Sequence, residues 1–136
     1  MTSADALVMK NILIERGMKS ENNRMTKQDQ NSYTIKIASI DKKEETIEEK
    51  GWKIKLQYGE FSPFLRDLNK HLSEAKNYAA NEYQSNMIDL YLEHFKSGDI
   101  NKHIDSQKEW IKDKGPIIET NIGFIESYLD PLKIRA

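Results

Sequence analysis

Trp52-Lys53-Ile54-Lys55-Leu56-Gln57-Tyr58 alternates large apolar residues with polar ones, the period of a strand with one face in a core and the other toward water. Tyr33-Thr34-Ile35-Lys36-Ile37 repeats the pattern, so the sequence predicts two half-buried strands. Residues 41–51, Asp41-Lys-Lys-Glu-Glu-Thr-Ile-Glu-Glu-Lys-Gly51, lie between them. They are expected to form a charged connector, either a short exposed helix or a mobile loop, with Gly51 permitting entry to the second strand. Upstream, residues 19–32 offer few side chains to bury and many that favour local turns, which predicts a loop.

Helical spacing governs much of what remains. Ala6, Leu7, Met9, Ile12, Leu13 and Ile14 fit a helix over residues 4–16 that Gly17 ends. Ser62-Pro63 predicts another helix start, with the serine capping free amides and the proline sacrificing no hydrogen bond. Phe64, Leu65, Leu68, Leu72, Ala75 and Ala79 follow at helical spacing. Asn81 marks a break before a stripe of Met87, Ile88, Tyr91 and Phe95, and Ser97-Gly98 stops that helix. Asp99 is placed to cap a third, with Ile100, Ile104 and Ile111 on one face, Trp110 beside them, and Gly115-Pro116 at the end. After Pro116 the period returns to two and predicts a final strand. The whole reads as one α+β unit over residues 1–136, helix-rich with a few strands.

Composition narrows the function. Hydrophobic residues make up 38% of the 136 residues against 32% charged, a polar balance that suits a chain whose surface a further segment covers. Twenty-one basic and 22 acidic residues leave a net charge of -1, which gives no electrostatic footprint for nucleic acid or an anionic membrane. There is no cysteine, hence no disulfide framework and no thiolate nucleophile. The first residues lack the basic start and apolar run of a signal peptide, so a cytoplasmic protein is expected.

In the final predicted strand Ile118, Thr120, Ile122 and Phe124 share one face, and Glu119, Asn121 and Gly123 the other. That second face puts a carboxylate and a carboxamide beside a glycine whose missing side chain lets another group come close, a surface suited to the polar end of a peptide. Composition alone favours a plainer account, in which Glu119 faces water, Asn121 begins a turn and Gly123 is a bulge. His71, His94 and His103 have neither the His-Glu-x-x-His spacing nor its longer form. Glu93, His94 and His103 therefore read as surface or satisfied core residues rather than a metal cluster.

Several longer strings carry a resemblance. Lys114-Gly-Pro116, Ile122-Gly-Phe-Ile-Glu-Ser-Tyr128, Gly59-Glu-Phe-Ser-Pro63, Glu74-Ala-Lys-Asn-Tyr-Ala-Ala-Asn81 and Tyr33 to Ser39 occur in order, and with them the chain resembles dipeptidyl peptidase III from about Glu21 onward. The resemblance implies a two-lobed zinc exopeptidase that removes dipeptides from the free N-terminus of oligopeptides, with substrate in the cleft between a helical zinc-bearing lobe and a lobe with a β-core. This chain is similar to part of the second lobe. Its match to the glutamate that receives the substrate's ammonium group is Glu119, and Asn121 stands where animal members carry a tyrosine near the scissile carbonyl. Gly123 and Phe124 match as residues that shape the strand, and Glu126 as a structural one. The family's His-Glu-x-x-x-His motif and later glutamate have no counterpart before Ala136. The resemblance thus implies no catalytic residue and no metal ligand here, zinc held by the full-length family elsewhere, and a chain inactive without the zinc-bearing lobe. The other reading is a metal-free peptide-binding or protein-interaction module.

Overall fold

The computed structural model describes residues 3–124. Four helices and a four-stranded sheet follow in the order α1 (Ser3–Glu15), β1 (Asn23–Lys27), β2 (Ser32–Ala38), β3 (Glu44–Glu49), β4 (Trp52–Glu60), α2 (Ser62–Lys76), α3 (Glu82–Ser97) and α4 (Ile100–Trp110). This is the α+β class that the sequence predicts. No helix among the described residues is long and apolar enough to cross a membrane.

The two alternating runs are β2 and β4, which lie side by side and parallel, with Tyr33 opposite Ile54 and Ile35 opposite Leu56. A parallel pair needs a crossover, and the charged run between them supplies one that is itself a strand. β3 returns antiparallel along β4, with Glu49 opposite Trp52. This corrects the connector expected over 41–51. Ile47 is the one residue there that the sheet core takes in, while the surrounding charges face solvent or pair across strands, as Lys55 does with Glu44 at 2.9 Å. Lys50 and Gly51 turn the hairpin at φ 51° and 80°, the two left-handed residues of a tight two-residue turn.

The loop expected over 19–32 is likewise corrected. Asn23–Lys27 pairs antiparallel with β2 and makes the sheet order β1-β2-β4-β3. Its polar side chains suit an edge strand, whose outer groups remain in water.

α1 covers one face of the sheet. Met9, Ile12 and Leu13 pack on Tyr33, Ile35, Ile37, Ile47, Ile54 and Leu56, whereas Leu7 and Ile14, from the same apolar pattern, are each 60% exposed. A second core joins Ala38 at the end of β2 to Leu65 and Leu72 of α2 and to Met87, Tyr91 and Phe95 of α3. Hydrogen bonds stitch the two cores together. Ile40 and Asp41 donate their amides to the Phe95 and Lys96 carbonyls, both at 2.9 Å, and Asn22 Nδ2 donates to the Gly98 carbonyl at 2.7 Å. Gly98 ends α3 at φ 78°, and a Cβ there would lie 2.9 Å from Ile37 Cγ2; only glycine fits both demands.

Two helix boundaries differ from expectation. Ser62 does not cap α2; it is the first helical residue, and its hydroxyl donates to the Ile40 carbonyl at 2.9 Å, tying helix to sheet. Phe61 occupies the cap position at φ 60° without a side-chain hydrogen bond. In α4 the buried residues are Ile100, His103 and Ser106, and Ile111 is 66% exposed. The helix closes at Trp110, before Gly115, so Ile111 falls at its cap. By contrast Asp99 caps α4 as predicted, accepting from the Asn101 amide, and Asn81, expected to mark a break, is the cap of α3, accepting from the Gln84 amide.

Candidate functional site

The expected last strand is not a strand. Residues 116–124 follow an irregular path with no sheet partner among the described residues. The sheet ends far earlier in sequence, and helices α3 and α4 offer side chains rather than a ladder of backbone groups. The segment's polar groups are therefore met one at a time. Ile122 donates its amide to the Tyr91 hydroxyl at 3.4 Å, and Asn121 Oδ1 accepts from Gln107 Nε2 at 3.1 Å. Ile122 and Phe124 pack against the helical core, as the alternation implies, but Ile118 is 72% exposed.

The approach to this segment is fixed by Asp113. Its two carboxylate oxygens accept from Asn81 Nδ2 at 2.9 Å and Gln84 Nε2 at 3.0 Å. Gln84 Oε1 in turn accepts the Ala80 amide, and its own amide goes to Asn81 Oδ1. Donors and acceptors are matched throughout, so the turn after α4 is held on the start of α3.

Glu119 and Asn121 are both exposed. Glu119 has no hydrogen bond or ion pair with any described residue. It edges a recess lined by Tyr83, Met87, Trp110, Asp113 and Ile118, with free volume of about 10 Å³, room for one water at most. The carboxylate is thus open to an incoming cation, over a surface rather than inside a closed groove.

Gly123 is brought close to a ring rather than to another backbone. A Cβ at this position would sit 2.6 Å from His103 Nδ1, so the imidazole occupies the space a side chain would need. The strand-shaping role expected of this residue becomes a packing role. Phe124 closes the same cluster, with its ring 6.0 Å from His94 and 6.2 Å from Phe95, edge-on to each.

His94 and His103 are both buried, with ring centroids 5.4 Å apart. His94 Nδ1 lies 2.8 Å from the Asp99 carbonyl. A carbonyl only accepts, so Nδ1 carries the proton and Nε2 is left as a lone pair. Neither His94 Nε2 nor His103 Nδ1 has a hydrogen-bond partner among the described residues. Burial pushes His94 below its ordinary value of 6.5, against the pull of the Asp99 carbonyl and carboxylate. Burial lowers His103 too, His94 adds to that, and Glu21 opposes it. Both rings are held neutral by desolvation.

These histidines do not fit a zinc ion. Structural and catalytic zinc sites need at least three protein ligands, and no cluster of three or more histidine, cysteine, aspartate or glutamate side chains suited to a metal occurs among the described residues. Glu93 is exposed and paired with Lys102 at 2.8 Å, and His71 is exposed beside Glu74. A wider concavity of about 330 Å³ near Lys19, Lys43, Tyr58 and Asp99 is lined by none of residues 116–124. Lys43 there lies over the Tyr58 ring at 4.2 Å.

The model of "Peptidase family M49" matches residues 1–136. The chain belongs to peptidase family M49. It is 44% identical over 116 residues to "Dipeptidyl peptidase 3" of Dictyostelium discoideum, covering 84% of this chain and 17% of that protein. It is 32% identical over 152 residues to the protein of the same name from Nematostella vectensis, and 33% over 149 residues to that of Homo sapiens. These two matches cover 98% of this chain and 21% and 20% of the relatives. The M49 chain thus spans about a fifth of the length of the curated relatives it matches.

Of the residues predicted for the site, Glu119, Asn121 and Gly123 lie on one short segment, and Glu126 lies outside the described residues. Sequence reasoning missed Gln107, His103, Tyr91 and Asp113, which hold that segment. The one available signal is the four-residue step from His103 to Gln107, which puts both on one face of α4.

Proposed function

We propose that this chain supplies substrate positioning to a zinc-dependent dipeptidyl peptidase of family M49, which removes dipeptides from the free N-terminus of oligopeptides. The metal and its activated water belong, on this reading, to a zinc-bearing lobe outside residues 1–136. The observation that carries the reading is Glu119, an exposed carboxylate paired with no cation among the described residues, on a segment anchored by α3 and α4. A carboxylate there pairs with the ammonium group at a peptide's N-terminus and sets how far the chain reaches toward the metal. Uniform positioning of this kind lowers the entropic part of the barrier but makes no nucleophile. Zinc, when bound by the partner lobe, supplies Lewis-acid polarisation of the carbonyl and a nucleophilic water.

Glu119 then binds the amine, Asn121 addresses a peptide amide, and Gly123 lets the segment settle on His103. A cytoplasmic setting suits a chain without cysteine. The test is zinc content and dipeptide release from an unblocked oligopeptide, with and without a zinc-bearing M49 lobe. The expected result is no bound zinc and no turnover by the chain alone, with turnover on addition of the lobe. Zinc-dependent turnover by the chain alone overturns the division of labour.

Exposed apolar residues favour a second reading. Phe64 is 74% exposed, Tyr78 88% and Ile117 95%, surface that suits a metal-free interaction module. Peptide capture that survives N-terminal acetylation, with no turnover when the lobe is added, decides for it.

A further inference from the structure

We propose that Gln107 is a positioning residue that sets the polarity of Asn121, turning its amide nitrogen outward as a hydrogen-bond donor to a peptide carbonyl. This rests on the substrate-positioning reading above. It concerns what the short amide can do there.

A chain of directed hydrogen bonds on one face of α4 sets that polarity. Ser106 Oγ donates to the His103 carbonyl at 2.7 Å, which commits the single hydroxyl proton, because a carbonyl can only accept. The hydroxyl can then offer only a lone pair to its other neighbour, Gln107, whose side-chain nitrogen lies 3.4 Å away. The group of Gln107 facing Ser106 must therefore be Nε2 with its two protons, not Oε1. The second proton of the same nitrogen points at Asn121, 3.1 Å away, and the atom of Asn121 that receives it must be Oδ1. With Oδ1 engaged, Nδ2 is the end of an exposed side chain that bonds to none of the described residues. Ser106 is fully buried, so the start of the relay is shielded from water that would otherwise scramble its direction.

Neighbouring contacts keep Asn121 in place for this. The next amide, that of Ile122, is held by the Tyr91 hydroxyl, and Gly123 rests on His103, one helical turn before Gln107. The backbone on the C-terminal side of Asn121 is thus held both by Tyr91 of α3 and by His103 of α4, the helix that carries the relay. An outward donor attracts a peptide carbonyl; the flipped amide would present a carbonyl oxygen to it and repel.

The test is a set of Gln107 variants in the 136-residue chain, with binding of tetra-alanine bearing a free amine read by calorimetry. A thermal melt of each variant checks that the fold is intact. In Gln107→Glu the carboxylate only accepts, so Asn121 turns its Nδ2 inward and binding weakens about tenfold, the size of one lost hydrogen bond. In Gln107→Lys the ammonium donates to both neighbours, and affinity stays within about twofold of wild type. Simple attraction between the new charge and the peptide amine predicts the opposite order, with the glutamate variant tighter and the lysine variant weaker. In an Asn121→Ala background the two Gln107 variants should differ only by that charge effect.

Equal affinities for Gln107→Glu and Gln107→Lys, or the charge order in the Asn121 background unchanged from the wild-type background, overturn the proposal. Binding by wild type that is lost on N-acetylation while Gln107→Glu remains at full affinity removes this inference and leaves the Glu119 reading standing. No binding by the wild-type chain at millimolar peptide removes both.

Discussion

Ile54 and His94 are equally buried, each with no exposed surface, yet they sit in different kinds of interior. Around Ile54 the sheet and α1 assemble a core of aliphatic and aromatic side chains, where burial is rewarded in proportion to apolar area. Around His94 the helices assemble an interior with two imidazoles, each with a nitrogen that has no partner among the described residues. Such groups weaken a core rather than strengthen it. The sheet region thus serves stability, while the helical region gives up some stability to seat a segment that carries exposed polar groups.

That contrast can be broken most forcefully in the sheet. Ile54→Ala should cost about 3 kcal/mol, since it removes a buried side chain from a close-packed interior. Urea unfolding measures it, and a loss under about 1 kcal/mol contradicts the assigned core.

Gly123→Ala comes next. Its Cβ would collide with His103, so the segment lifts or the ring moves, at about 2 kcal/mol. Most of that loss should disappear when His103→Ala is added, because the double variant restores room. Additive losses in the unfolding cycle contradict the contact.

Acid sharpens the comparison. The folded-state values of His94 and His103 lie below the ordinary 6.5, so the unfolded chain takes up protons first as pH falls. Stability is full above about 6.5, the unfolded value, and is lost as pH drops from there toward the lower folded values. The carboxylates of Asp99 and Glu21 partly offset this. Urea midpoints should fall between pH 7.5 and pH 5, with a flatter profile in His94→Gln/His103→Gln. Equal slopes remove the histidines as the cause.

The smallest effect belongs to the surface. Lys76 and Asp89 pair at 2.6 Å but are 36% and 49% exposed, so Lys76→Ala should leave the unfolding midpoint within experimental scatter.

The same contrast explains what was legible in the sequence. Period-two alternation marks β2 and β4 because one face meets apolar α1. The break at Asn81 and the cap at Asp99 are visible because short polar side chains before an apolar stripe have a local job. β1 and β3 were hidden: their side chains are mostly polar, and their strand character comes from backbone pairing with β2 and β4, which no local pattern encodes. The strand expected after Pro116 failed for the converse reason. Ile118 to Phe124 have the right alternation, but they pair with no strand among the described residues, and Tyr91 and Gln107 take up their polar groups instead. Glu119, Asn121 and Gly123 could be named from the strings they belong to. The residues that hold them, His103, Gln107 and Asp113, are joined to them only by the fold.

Glu119 as receiver of a peptide's amine is tested most directly by the affinity of one tetrapeptide and its N-acetylated twin for wild type and Glu119→Gln. Wild type should prefer the free amine about tenfold or more, as a charge-assisted hydrogen bond requires, and Glu119→Gln should bind both alike. An unchanged preference in the variant, or none in wild type, contradicts it.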